Sequence, residues 1–161
     1  MNERVMKKWT KALRFGKYKQ GKHRLCGIDR KGNKSYCCLG VLCDLYNNEM
    51  KRNKKKTLEL ETIPGSEAET TMLNPGAKHP DFVVKYNSQE GTLPDPVLKW
   101  AGFSSYNAEG EFTDRATDMD HFIDELPAPL IDLNDGRTDG SLKPKSFAKI
   151  ADIIEEYHEY L

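Results

Sequence analysis

The chain has 161 residues, 25 Lys/Arg against 25 Asp/Glu, a formal charge of zero and a mean hydropathy of -0.74. That length suits one domain, which buries roughly 70% of its unfolded surface and needs no disulfide or metal staple. No window approaches the roughly 18 apolar residues of a bilayer span, and Met1-Asn2-Glu3-Arg4 leads into an amphipathic segment rather than a signal sequence. The four cysteines (Cys26, Cys37, Cys38, Cys43) lack the spacing of a disulfide framework, so a cytoplasmic protein with free thiols is expected.

The zero net charge hides a polarised chain. Residues 1–56 hold seventeen Lys/Arg and four Asp/Glu, and the remainder holds eight and twenty-one. The halves can neutralise each other, within one chain or between the chains of a homo-oligomer. Alternatively, a basic face meets phosphate from a nucleotide or nucleic acid.

In chain order, Val5, Trp9, Ala12 and Leu13 recur at helical spacing, predicting an amphipathic helix over 3–15 that Gly16 stops, with Trp9 as a core anchor. Lys17 to Arg24 is a basic connection around Tyr18. Basic residues interleaved with an aromatic suit stacking plus phosphate contact, although a solvated loop whose Tyr18 packs back on the helix is the favoured reading. Residues 24–29 and 34–37 flank Arg30-Lys31-Gly32-Asn33 as a hairpin. From Cys38 the period turns helical, with Asn47-Asn48 expected to end the helix and Gly40 expected to meet another backbone closely. The run Tyr36 to Tyr46 is the one dense apolar stretch, and so the expected buried centre.

The basic run 51–56 follows that helix. Thr57 to Ile63 alternates as a half-buried strand closed by Pro64-Gly65, residues 64–80 read as loop, and Asp81 to Tyr86 reads as an edge strand because Pro80 precedes it. Leu93 to Phe103, with prolines at its start and glycine at its end, predicts a short helix, with Phe103 packing back. Residues 104–113 read as loop or one more strand. Ser146 caps a final helix whose apolar positions are Phe147, Ile150, Ala151, Ile154, Tyr157 and Leu161.

Few constellations carry chemistry. Cys37 and Cys38 stand at a strand-to-helix turn, where a lowered thiol pKa would suit a nucleophile of a hydrolase or transferase, with His79 or His121 as base. A cysteine within Leu-Val-Leu is more often a small core residue. A zinc set from His23, Cys26, Cys37 or Cys38, and Cys43 lacks a Cys-x2-Cys pair. Asp114, Asp118, Asp120, His121 and Asp124 offer hard metal ligands, whereas Asp118, His121 and Glu125 make an ordinary polar helix face, the favoured reading. The 132–140 stretch fails as a calcium loop, since Lys143 stands where a bidentate glutamate belongs. No metal or other cofactor is therefore expected.

The combination Trp9, Ala12-Leu13, Gly16, Tyr18, Gln20-Gly21, then Tyr36-Cys37-Cys38-Leu39-Gly40-Val41-Leu42-Cys43-Asp44-Leu45, Leu133-Asn134-Asp135 and Ser146-Phe147 with Ile150-Ala151 resembles a group of small proteins encoded by tailed bacteriophages. The chain departs from that pattern at Phe15 and in a long central insertion. The resemblance implies a phage accessory protein in a bacterial cytoplasm, acting by binding a host or defence component rather than by catalysis.

The expectation is a single α+β domain over residues 1–161, loop-rich at 64–80 and 104–113. Packed N-terminal, central Cys-rich and C-terminal helices stand against a small, mostly antiparallel sheet. Its expected role is non-enzymatic binding of a host protein or a phosphate-bearing ligand through Lys17, Tyr18, Lys22, Arg24, Lys54 and Lys55. The alternatives are a Cys37- or Cys38-dependent enzyme, and nucleic-acid binding that also draws on the run 51–56.

Overall fold

A computed structural model describes residues 1–73, 76, 78–103 and 129–161. The N-terminal helix α1 (Glu3–Phe15) starts where the Asn2 side chain accepts from the backbone N–H groups of Arg4 and Val5, and it stops at Gly16. Its apolar stripe buries Val5, Met6, Trp9 and Leu13. Trp9 is fully buried, with its indole nitrogen donating to the Cys38 carbonyl at 2.9 Å and its ring edge-on to Phe103.

The hairpin is β1 (Cys26–Ile28) and β2 (Lys34–Tyr36), turned at Gly32 with φ 81° and tied by Asp29, which accepts from Lys31 and Asn33. β3 (Leu60–Pro64) and β4 (Phe82–Tyr86) complete an antiparallel sheet of order β2-β1-β4-β3. Cys26, Tyr36, Val84 and Tyr86 share the buried face, against which α2 (Cys38–Arg52) packs as the central helix. α3 (Glu69–Leu73) and α4 (Asp95–Ala101) precede the undescribed stretch 104–128; α5 (Leu130–Asp135) and α6 (Phe147–Tyr157) follow it. α6 lies along α1, where Arg14 reaches Asp152 and Glu155.

The α+β single-domain architecture is the one expected, and four local expectations are corrected. α2 continues past Asn47-Asn48 to Arg52 because both amides find side-chain work: Asn47 accepts from the Leu58 N–H at 2.8 Å and Asn48 donates to Asp44 at 2.9 Å. β3 is exposed along most of its length rather than half-buried, since it is the free edge of the sheet. β4 is interior rather than an edge, because Pro80 lies before the first paired residue and costs no ladder bond. Within the expected loop 64–80, Glu69–Leu73 forms a short helix. The expected readings of residues 104–113 and of Asp114 to Asp124 lie outside the described residues.

Gly40 behaves as its position implies. A Cβ there would overlap the backbone carbonyl of Leu25, so the glycine lets α2 lie directly on the chain entering β1.

Candidate functional site

The site is built where the connection after α1, the hairpin turn and the end of α5 converge. Its hidden centre is Asn134, fully buried near the end of α5. The Oδ1 atom accepts from the Cys38 N–H and from Gln20 Nε2, both at 3.2 Å, and Nδ2 donates to the Gly21 carbonyl at 2.8 Å and to Asp135 Oδ1 at 2.7 Å. Gln20 also joins the start of α6, donating to the Lys145 carbonyl and accepting from the Phe147 N–H. One buried amide thus fastens the start of α2, the 20–21 backbone and α5.

Asp135 extends the network outward. Its Oδ2 accepts from the His23 N–H at 3.0 Å and faces His23 Nδ1 at 3.3 Å. His23 takes the left-handed conformation, φ 64°, which costs a non-glycine residue about 1 kcal/mol or more and is held here by Asp135. Arg24 follows. Only 4% exposed, it donates from Nε to the Lys22 carbonyl at 3.3 Å and from Nη2 to His79 Nδ1 at 3.2 Å, while Nη1 has no partner among the described residues. Because a guanidinium only donates, His79 Nδ1 must accept, which places any single imidazole proton on Nε2. Burial lowers the Arg24 pKa, and the nearby charges of Glu90 and Asp135 oppose that.

His23 and Arg24 line two cavities. The first, about 690 Å³, opens between the hairpin turn and residues 78–81, and its rim carries Lys19, Lys22, Lys31 and Lys78. Lys19, Lys31 and Lys78 are exposed and have no ion pair among the described residues, whereas Arg30 at the same rim is held by Asp81 at 2.7 Å. The second cavity, about 440 Å³, lies toward α5 and is lined by Leu73, Ile131, Asp132 and Asp139.

Of the residues singled out in the sequence, Lys22 and Arg24 line the basic cleft, and Lys17, Tyr18, Lys54 and Lys55 line neither cavity. The Tyr18 hydroxyl donates to Asp44 at 2.7 Å and its ring meets Tyr36 edge-on, a packing arrangement rather than an open stacking platform. Lys54 and Lys55 are exposed beyond the end of α2.

The cysteines are all buried. Cys37 does cap α2, its Sγ accepting from the Gly40 N–H at 3.4 Å, the setting in which a helix N-terminus would lower a thiol pKa. Desolvation wins: burial pushes Cys37 up to about 12 and Cys26 up to about 11, and raises Cys38 and Cys43 well above the ordinary thiol value. Cys37 lines the α5-side cavity and His79 the basic cleft, and His121 lies outside the described residues. No group of three or more His, Cys, Asp or Glu among the described residues is placed to hold a metal ion.

Residues 1–158 match the model of a family described as a domain of unknown function, DUF8296. The chain belongs to that family. No curated protein and no solved structure matches it. Among the described residues no helix is long and apolar enough to cross a membrane.

The sequence reading passed over Lys19, Lys31 and Lys78 as contributors to one cleft. Lys19 and Lys31 were within reach of it, since a hairpin over 24–37 brings its own basic turn beside the basic connection that feeds it. Lys78 comes from the chain entering β4, and nothing local in the sequence places β4 beside β1. Asn134 and Asp135 stood in the quoted Leu-Asn-Asp pattern without a role; their role depends on contacts more than 90 residues distant.

Proposed function

We propose that this chain is a binding protein for a phosphate-bearing ligand, held in the basic cleft between the hairpin turn and residues 78–81. The observation that carries the reading is concentration of positive charge around a concavity: Lys19, Lys31 and Lys78 on the rim, without an ion pair among the described residues, with the buried Arg24 in the wall. The lining sets Lys19, Lys22, Arg24, Arg30, Lys31 and Lys78 against only Asp29 and Asp81; such a predominantly positive concavity focuses the field and draws in anions, and a guanidinium fork matches phosphate oxygens. The buried, strongly protonated thiols favour binding over a Cys37- or Cys38-dependent reaction. In keeping with the resemblance to tailed-phage proteins, the chain would act as an accessory protein in a bacterial cytoplasm.

Titration calorimetry with inorganic tripolyphosphate at 50 and 200 mM salt tests this. Binding should weaken as salt rises, and the double variant Lys22→Glu/Lys78→Glu should lose at least tenfold in affinity, while Lys54→Glu/Lys55→Glu changes it less than threefold. Absence of binding, or the reverse order of the two variants, would sink the reading.

A further inference from the structure

The two cavities share a wall and differ in chemistry. We infer that the ligand is a mononucleotide, with its phosphate in the basic cleft and its sugar and base in the cavity beside α5. This rests on the phosphate-binding reading and narrows it to one class of compound.

Three observations carry it. The first is the junction. His23 and Arg24 line both cavities, so one molecule crossing that wall meets the lysine rim on one side and, on the other, Asp132, Asp135 and Asp139, with Arg137 held by Asp132. A ligand suited to both must be anionic at one end and rich in O–H and N–H donors at the other, because a carboxylate only accepts. A nucleoside phosphate has that polarity: ribose hydroxyls and ring or exocyclic N–H groups at one end, phosphate at the other. Inorganic phosphate and polyphosphate have no use for the acidic side.

The second is the lining. Ile131 and Leu73 give the α5-side cavity apolar surface beside its carboxylates, and Leu73 is 74% exposed at its edge. A planar base laid against them covers apolar area while its edges reach Asp132 or Asp139. Asp132 binds Arg137 through Oδ2 at 2.8 Å, and Asp139 binds Ser141 through Oδ1, which leaves each carboxylate with a second oxygen. At about 440 Å³ the space falls within the roughly 300–1,000 Å³ range of small-molecule sites.

The third is Arg24. Its Nη1 is enclosed without a partner among the described residues, and an unmet buried donor costs ~1–3 kcal/mol. Its two bonds, at 3.3 Å to the Lys22 carbonyl and 3.2 Å to His79, are both long, so the fork can turn toward an oxygen at the junction. The phosphate nearest the sugar sits at that point and supplies the missing acceptor. His23 is fixed at the same wall by Asp135, which sets where phosphate ends and sugar begins.

The test is calorimetry on the full chain with AMP, GMP, CMP and UMP, each set against ribose 5-phosphate, inorganic phosphate and adenosine. At least one nucleotide should bind ten times more tightly than ribose 5-phosphate. Leu73→Asp, at an exposed site that folding does not need, should remove that excess while leaving inorganic phosphate affinity within twofold; Asp132→Asn should shift the preference among bases. If nucleotides bind no better than ribose 5-phosphate or inorganic phosphate, the mononucleotide inference falls and the phosphate cleft stands. If no phosphate compound binds, both fall. If a single-stranded oligonucleotide binds and no mononucleotide does, the inference falls in favour of a nucleic-acid surface.

Discussion

Glu49 offers a test of how this fold tolerates a buried charge. The side chain, 10% exposed on the inner face of α2, receives Arg4 at 3.0 Å, Lys8 at 2.6 Å and the Trp100 indole N–H at 3.2 Å. Burial by itself would raise its pKa; the hydrogen bonds from Lys8, Trp100 and Arg4 outweigh that and hold the carboxyl at about 2, against 4.5 for an ordinary glutamate. A gap of that size corresponds to ~3 kcal/mol of stability. Arg4 and Lys8 are 55% and 39% exposed, so solvent screening cuts this to ~2 kcal/mol. Glu49→Gln keeps the shape, removes the charge and turns an NH2 toward one of three donors. The expected loss is ~2–3 kcal/mol at pH 7, or roughly 4–12 °C in Tm for a chain of this length. The sign follows from a depressed carboxyl: the stabilisation is complete above about 4.5 and fades as pH falls toward about 2. Urea unfolding of both proteins at pH 7, 5, 4 and 3 measures it. A deficit below ~0.5 kcal/mol at pH 7, or one that stays constant down to pH 3, would refute the reasoning.

Gly40→Ala should cost ~3 kcal/mol or more, or prevent folding, because the new methyl group meets the Leu25 backbone carbonyl; soluble yield and urea midpoint report it, and a near-neutral effect would contradict the close packing of α2. Asn134→Leu keeps the volume and strands the Cys38 N–H, the Gly21 carbonyl and Gln20, for an expected ~3 kcal/mol loss by chemical denaturation. All four cysteines should resist iodoacetamide at pH 7.5 in the native protein and label rapidly in 8 M urea, with intact-mass spectrometry as readout; native labelling of Cys37 or Cys38 would revive the nucleophile reading.

What sequence could show here was whatever depends on near neighbours. The stripe Val5, Trp9, Leu13, the Ser146 cap and the Pro-flanked start and left-handed Gly102 end of α4 are local signals, and the elements stand where those signals put them. The errors were of context. Asn47 and Asn48 are weak helix formers whose amides are satisfied by Leu58 and Asp44, partners a local reading does not weigh. The alternation of 57–63 promised a half-buried strand, but that depends on which strand closes the sheet. The cysteine pair shows the same limit at the candidate site. A helix N-terminus was legible, the full burial that reverses its effect on the thiol was not.

The polarised charge of the two halves resolves into three fates. Arg14 with Asp152 and Glu155, and Arg30 with Asp81, join the basic half to the acidic one, as mutual neutralisation requires. Arg4 and Lys8 are taken by Glu49, a carboxylate of their own half. Among the other cations two exposed groups stand out, Lys51, Arg52, Lys54 and Lys55 at the end of α2, and Lys19, Lys31 and Lys78 at the cleft rim. The first group is the denser in sequence, yet it lines neither cavity and is favoured there by the helix C-terminus alone. The second is scattered over sixty residues of chain and gathered by the β1–β4 pairing around a buried arginine. A charge held in a concave, partly desolvated wall acts on a ligand far more strongly than one surrounded by water. Shape therefore outweighs count, and that is why the proposed ligand is assigned to the cleft rather than to the denser run at the end of α2.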